Sequence, residues 1–174
     1  LSHNQLDYLS LNYSVLSSLV EGSGVIPKLM TEGSMQFITS MYSQLPNTLD
    51  RRIPQFAQSL SESHNSLYEA ALAIEKMLKS DYTYTISGTH QATDPIVDFL
   101  FNRKEGHCEY FATAMVLMLR SIGVPARPVN GFLGAEYNNF GDYYIVKEDN
   151  AHSWVEAFFP DRGWTSFDPS PATT

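Results

Sequence analysis

The sequence predicts an α+β domain, in which a helical first half carries a single thiol and an antiparallel sheet packs against it. Up to residue 123, apolar residues recur at spacings of three and four, as they do along one face of a helix. Beyond residue 123, short alternating segments are separated by Gly, Pro and Asn. Helices and strands that occupy separate parts of a chain favour an α+β layout.

The composition indicates one globular domain. The chain has 174 residues, 43% hydrophobic and 17% charged, which is enough apolar material for a packed core. Its formal net charge is −8 and its basic residues form pairs at most, so we expect no nucleic-acid partner. No apolar run approaches the roughly 20 residues of a membrane span. The chain starts at Leu1 without a signal-peptide pattern, and we expect it to be a domain of a longer protein.

We expect residues 1–52 to form a helical accessory segment and residues 53–174 to form the core. The accessory segment carries an apolar stripe at helical spacing, at Leu6, Leu9, Tyr13, Leu16 and Val20. A second helix is expected over residues 34–44, because apolar residues repeat there and Pro46 follows. Both stripes are interpreted as packing surfaces.

The first part of the core is predicted to be helical, with one strand. A long helical pattern covers residues 54–79, and an alternation of Tyr and Thr predicts a strand over residues 82–86. Asp94 is a good N-cap and Pro95 suits the first helical position, so a short helix is expected to begin there.

Cys108 is the only cysteine, and it lies at the predicted start of a helix that ends before Gly123. Unpaired N–H groups and the positive end of the helix dipole favour thiolate over thiol at that place, and the thiolate is the nucleophile. A free cysteine is also often a small buried core residue. Cys108 considered by itself leaves both interpretations open.

The second part of the core is predicted to be a sheet. Four strands are expected, over residues 125–132, 143–147, 153–159 and 164–167. Residues 134–142 are expected to form a loop, and residues 160–163 a turn between the last two strands.

This last hairpin predicts a partner for the thiol. In a regular hairpin the ends away from the turn lie side by side, and here those ends are His152 and Asp168. A cysteine nucleophile needs a base, and the base needs a group that orients it. Each residue alone is common at a strand edge or a turn, so the pairing carries the hypothesis. His107 is a rival base, but neighbours in a helix point in different directions, and we interpret it as a pocket-wall residue.

No metal or other cofactor is expected. A lone cysteine excludes an intrachain disulfide and a Cys-x-x-Cys metal site, and no calcium-binding loop motif is present. Glu136, Asp142 and Glu148 are candidates for an acidic approach that would favour an amine.

Four blocks of the chain resemble the transglutaminase-like superfamily, most closely its bacterial membrane proteins of the TgpA type. The blocks are Gly-His-Cys-Glu-Tyr-Phe-Ala at 106–112, Leu-Arg-Ser-Ile-Gly-Val-Pro-Ala-Arg at 119–127, Asn-Ala-His-Ser-Trp-Val-Glu at 150–156 and Gly-Trp-Thr-Ser-Phe-Asp-Pro at 163–169. The resemblance implies a papain-like α+β core with Cys108 as nucleophile, His152 as base and Asp168 as the orienting acid. It also implies an extracytoplasmic domain of a membrane-anchored protein.

The implied reaction is that of a transglutaminase, with a protein or peptide glutamine as acyl donor and a primary amine as acceptor. Trp154 and Trp164 flank the strands that carry the triad, and they are candidates for binding substrate and screening a thioester from water. Two alternatives remain at this stage. The same triad serves cysteine peptidases and amidases, in which water replaces the amine. A domain of this fold could also bind a partner without catalysis.

Overall fold

The computed structural model describes residues 31–86 and 92–172, in which the helices and two short strands come before the main sheet. The helices are α1 (Glu32–Tyr42), α2 (Arg52–Ser61), α3 (Leu67–Asp81), α4 (Pro95–Asp98) and α5 (Cys108–Ser121). The strands are β1 (Thr83–Tyr84), β2 (Glu105–Gly106), β3 (Ala126–Phe132), β4 (Glu136–Asn138), β5 (Tyr143–Ile145), β6 (Ala151–Phe159) and β7 (Gly163–Phe167). The predicted stripe of residues 6–20 lies outside the described residues.

The main sheet is antiparallel, with strand order β3-β6-β7. The central strand β6 pairs with β3 from Phe132↔Ala151 to Ala126↔Ala157, and with β7 from Val155↔Phe167 to Phe159↔Gly163. Alternate residues of these strands are buried in one apolar cluster with α5, which confirms the predicted packing of the thiol helix on the sheet.

Helix α5 is the centre of the core. Its inward side chains are completely or almost completely buried, namely those of Phe111, Ala112, Ala114, Met115, Met118 and Leu119. The helix stops where the sequence predicts, because Gly123 adopts a φ of 86°, which L side chains rarely adopt. The buried faces of α2 and α3 pack around the same helix.

The helical pattern of residues 54–79 is divided into two helices, α2 and α3, where the sequence suggests one. A new helix starts at Ser66, whose hydroxyl accepts the N–H of Glu69 at 3.1 Å. The Glu69 carboxylate accepts the N–H of Asn65 at 3.0 Å in return. This reciprocal capping is a start signal that apolar periodicity alone does not reveal.

The predicted loop of residues 134–142 contains strand β4, which pairs with β5 in a separate two-stranded hairpin. The predicted strand over residues 143–147 is correspondingly shorter, and it does not join the main sheet. In the described part of the chain, no helix is long and apolar enough to cross a membrane.

Candidate active site

Cys108 is the first residue of α5, and His107 is its N-cap. The thiol is partly buried, which differs from a cysteine enclosed in the core. The short strand β2 leads directly into this helix, and its Gly106 has almost no space for a side chain, because a Cβ there would lie 3.1 Å from Tyr110. The close approach of the Gly106 backbone to Tyr110 fixes the direction in which the chain enters α5. It therefore also fixes the position of the Cys108 thiol.

His152 and Asp168 form the predicted pair. Nε2 of His152 lies 2.8 Å from Oδ2 of Asp168, with side chains 13% and 40% exposed. The other carboxylate oxygen of Asp168, Oδ1, accepts the N–H of Ser170 at 3.1 Å. Asp168 directly follows the last paired residue of β7, so the end of the hairpin brings the carboxylate to the imidazole.

Cys108 and His152 line the same cleft, which has a volume of about 710 Å³. The helical half contributes His107, Cys108 and Glu109, and the sheet contributes residues at the start of β6 and the end of β3. With Nε2 engaged by Asp168, the second ring nitrogen of His152 is free of that contact and available for a thiol or substrate. This arrangement suits nucleophilic acyl chemistry.

Tyr84 is a cleft residue that sequence reasoning missed. Strands β1 and β2 pair in parallel, with Tyr84 opposite Gly106, and this places the tyrosine beside the start of α5. The pKa of Tyr84 is raised, first by burial and then by the charge of Cys108 and a hydrogen bond with its side chain. The sequence predicts a strand at the position of β1, but it does not predict that this strand pairs in parallel with β2.

The two tryptophans lie in different places. The Trp154 ring stacks on His152, with centroids 6.4 Å apart and planes at 19°. Trp164 pairs with Phe158, which is six residues further along β6 than His152. At the usual rise of a strand, this is a distance of about 20 Å. Its ring lies under the Arg127 guanidinium, 4.3 Å from the centroid, and the structure does not bring it to the cleft. The prediction that Trp164 binds substrate is not supported by this position.

The acidic residues near the cleft differ from those expected. Glu136 forms an ion pair with Lys147 at 2.6 Å, and Asp142 accepts a short hydrogen bond from Tyr137. Of the three expected carboxylates, only Glu148 lines the cleft. Glu109 and Asp149 are further acidic residues of its wall. His107 also lines the cleft, in agreement with its interpretation as a pocket-wall residue.

Comparison with known proteins identifies the family. The model of the transglutaminase-like superfamily matches residues 54–169, a range that contains Cys108, His152 and Asp168. The chain belongs to the transglutaminase-like superfamily. Helix α1 lies outside the matched range.

Two bacterial relatives match most of this chain but only part of their own length. The uncharacterized protein YebA of Bacillus subtilis is 39% identical over 141 residues, which are 76% of this chain and 19% of that protein. A protein-glutamine gamma-glutamyltransferase of Pseudomonas aeruginosa is 34% identical over 146 residues, covering 83% of this chain and 22% of that protein. The chain thus spans about a fifth of the length of these relatives.

Solved structures confirm the fold. The periplasmic domain of TgpA from Pseudomonas aeruginosa superposes with a TM-score of 0.72 and 33% identity, over 77% of this chain and 47% of that one. A candidate cysteine protease from Cytophaga hutchinsonii has a TM-score of 0.55 and 19% identity, over 85% of this chain and 45% of that one. The second likeness shows a shared fold alone. The predicted α+β core with a papain-like transglutaminase architecture is therefore confirmed.

Proposed function

We propose that this transglutaminase-like domain is a cysteine-dependent acyltransferase that moves the γ-glutamyl group of a protein glutamine to a primary amine. The observation that carries the proposal is the hydrogen bond between Asp168 and His152, because His152 lines the same cleft as Cys108. A thiol at a helix start, an imidazole and an orienting carboxylate are the three groups that acyl transfer by a cysteine requires.

The first half-reaction forms a thioester. The Cys108 thiolate attacks the carboxamide carbon of glutamine, and the carbonyl electrons move onto oxygen to give a tetrahedral oxyanion. When the oxyanion collapses, the C–N bond breaks, and His152 as imidazolium gives its proton to the leaving ammonia. The Asp168 carboxylate, 2.8 Å from His152, stabilises the charged ring and holds its orientation.

The second half-reaction passes the acyl group to an amine. The amine nitrogen attacks the thioester carbon while neutral His152 takes its proton, and the C–S bond then breaks to regenerate the thiolate. Trp154 stacks on His152 and is proposed to limit the access of water to the thioester. Hydrolysis would follow the same steps with water in place of the amine.

The oxyanion needs hydrogen-bond donors in both half-reactions. The backbone N–H of Cys108 is one candidate, because the first N–H groups of a helix have no partner within the helix. The Tyr84 hydroxyl is the second, because it interacts with Cys108 and remains a protonated donor as its pKa is raised. The proposal therefore assigns the nucleophile, base and orienting acid to Cys108, His152 and Asp168, with Tyr84 as an added donor.

The cellular setting is proposed from the relatives. Because the superposed TgpA structure is a periplasmic domain, we place this domain outside the cytoplasm, as part of a longer, membrane-anchored protein. Its substrates would then be extracytoplasmic proteins or peptides. We also retain the division into an accessory segment, residues 1–52, and a core, residues 53–174, as a proposal.

Mass spectrometry tests the reaction. The chain is incubated with a glutamine peptide and a primary amine, and the expected product is the peptide with the amine attached and ammonia lost. The Cys108→Ala variant gives no product, while a Ser63→Ala variant on the exposed α2–α3 turn serves as the matched control. Deamidated or cleaved peptide without any amine adduct would instead show that the domain is a hydrolase.

A further inference from the structure

Glu75 joins the helical half of the molecule to the residue that orients His152. It lies on α3, and its Oε1 accepts the backbone N–H of Asp168 at 3.0 Å. The same oxygen accepts a hydrogen bond from Lys79, one turn further along the helix, at 3.1 Å. The Glu75 side chain is 18% exposed and that of Lys79 is 43% exposed, so the Glu75 carboxylate is more shielded from solvent than the ammonium that it binds.

The contact between Glu75 and Asp168 lies just beyond the end of the backbone hydrogen-bond ladder of the sheet. The β6–β7 ladder ends at Val155↔Phe167, so Asp168 lies beyond the last paired residue. The next residue, Pro169, has no N–H to donate. Glu75 therefore supplies the acceptor that a neighbouring strand supplies elsewhere in the sheet.

This contact also connects the two halves of the proposed catalytic site. Ile74 and Leu78, on either side of Glu75 along α3, are completely buried in the cluster that contains α5, the helix with Cys108 at its start. Asp168 belongs to the sheet half, together with its partner His152. The hydrogen bond from the Asp168 N–H to Glu75 thus holds the backbone that carries this carboxylate relative to the helices that hold the thiol.

We propose that Glu75 is a positioning residue that orients the Asp168 carboxylate, and through it His152, by accepting the Asp168 backbone N–H. The proposal rests on the acyl-transfer function assigned above to Cys108, His152 and Asp168. Glu75 touches none of the reacting atoms in this scheme. Its role is to be an acceptor at the right distance, and the nearby Lys79 ammonium compensates its charge.

The length and the charge of this side chain can be separated by substitution. Glu75→Gln keeps an oxygen at the same distance and removes the charge, so the contact with Asp168 is preserved. Glu75→Asp keeps the charge but withdraws the carboxylate by one methylene, and Glu75→Leu removes the acceptor at similar size. Lys79→Met is the matched control, because it removes the ion pair but leaves the acceptor in place.

The readout is alkylation of Cys108 by iodoacetamide, which is specific because the chain has no other cysteine. The rate at about pH 7 reports how well His152 supports the thiolate, and the rate at about pH 9.5 approaches that of a thiol that ionises unaided. The other charged and titratable groups of the cleft are Tyr84, His107 and Glu109 on the side of the thiol, and Glu148 and Asp149 just before β6, while Asp168 contacts the imidazole. The Glu75 variants leave all of these residues unchanged, so a fall of the first rate relative to the second is expected from an effect on Asp168 and His152.

We expect Glu75→Asp and Glu75→Leu to lower the rate at about pH 7 several-fold and at most about thirtyfold, because an unassisted thiol with a pKa of about 8.5 is still about 3% thiolate at pH 7. Glu75→Gln and Lys79→Met should stay near the wild type at both pH values. Equal rates for all four variants and the wild type would overturn the proposal. So would a Glu75→Gln variant as slow as Glu75→Leu, since charge would then matter and not position.

Two further results keep the outcomes distinguishable. If Glu75→Leu does not fold by circular dichroism, the contrast between Glu75→Gln and Glu75→Asp decides the proposal. If wild-type Cys108 is alkylated no faster than a free thiol at about pH 7, the acyl-transfer function itself fails. If wild-type Cys108 is alkylated faster than a free thiol and the Glu75 variants react at the same rate as the wild type, only the role of Glu75 is contradicted.

Discussion

Nε2 of His152 and Oδ2 of Asp168 are 2.8 Å apart at the open end of the β6–β7 hairpin, although the two residues are 16 positions apart in the chain. The β6–β7 register, extended one residue past its last pair, sets Asp168 opposite Trp154, so the carboxylate reaches the imidazole of His152 diagonally, two residues away along β6. Asp168 accepts a second hydrogen bond at Oδ1 from the Ser170 N–H, which restricts rotation of the carboxylate. The imidazole therefore meets an acceptor whose position is fixed by the backbone.

Replacing Asp168 tests this relationship directly. We expect Asp168→Asn to leave the fold intact and to lower amine incorporation by on the order of 10³-fold or more, because the amide stabilises the wrong tautomer of His152. The measurement is the initial rate of amine transfer to a glutamine peptide, with circular dichroism as the folding control. Activity within a few-fold of the wild type would show that His152 does not depend on this carboxylate.

The Tyr84 hydroxyl is expected to act at the oxyanion. Tyr84→Phe keeps the ring, which stacks on Phe111 at 6.3 Å, and removes only the hydroxyl that interacts with Cys108. The loss of one oxyanion donor lowers kcat by about 10²-fold, and KM should change little. Tyr144→Phe, on the exposed β4–β5 hairpin, is the matched control. An unchanged kcat would remove Tyr84 from the proposed mechanism.

Gly131 is expected to set the position of Trp154. A Cβ at Gly131 would lie 2.7 Å from the Trp154 ring, so Gly131→Ala must displace the indole that stacks on His152. We expect a loss of about 1–3 kcal/mol in the free energy of unfolding from this overpacking, and a lower kcat. Urea unfolding and amine-transfer kinetics measure the two effects.

A second substitution checks the cause. Trp154→Phe removes the ring atoms that the new methyl group would meet, so Gly131→Ala should cost less in the Trp154→Phe background. If the stability effects of the two changes are additive, the contact between Gly131 and Trp154 does not explain them.

Tyr82 is expected to make the fold sensitive to alkali. Burial, followed by the charge of Asp81, raises the pKa of Tyr82 from its usual 10.0 to about 12, and its hydroxyl donates to the Leu100 carbonyl at 2.8 Å. Between these pH values the unfolded chain loses the Tyr82 proton while the folded protein keeps it. Stability therefore falls as pH rises through this interval.

Tyr82→Phe tests this linkage. At about pH 8 the variant should be about 1 kcal/mol less stable, because the Leu100 carbonyl loses its donor. Between about pH 8 and pH 11 it should lose less stability than the wild type, since one linked titration is absent. Urea unfolding at both pH values measures this, and Tyr144→Phe should behave as the wild type. Equal losses in Tyr82→Phe and the wild type would contradict the assignment.

The sequence predicted those features that depend on neighbouring residues. The start of α5 at Cys108 follows from the apolar helical repeat that begins there, the N-cap at Asp94 follows from a local capping rule, and the structure shows both. The hairpin that brings His152 and Asp168 to the same end is also local in this sense, because a tight turn connects its strands, although the register sets Trp154 and not His152 opposite Asp168. The start of α3 at Ser66 was missed although its capping signal is local, because the apolar repeat continues across it.

Other features required the tertiary structure, because they join residues that are far apart in the chain. The parallel pair of β1 and β2 places Tyr84 beside Cys108, and no turn connects such strands. The contact of Glu75 with Asp168 spans 93 positions. The place of Trp164 in the sequence predicts that it belongs to the site, whereas the hairpin positions it at the opposite end from His152.

The sequence by itself therefore determined the family, the α+β class and the hairpin that pairs His152 with Asp168, since these depend on local patterns and short connections. Only the tertiary structure decided which side chains surround Cys108 and how Asp168 is held. The physical reason is that helix packing and parallel pairing are set by the whole core, in which α5 contacts both the helices and the sheet.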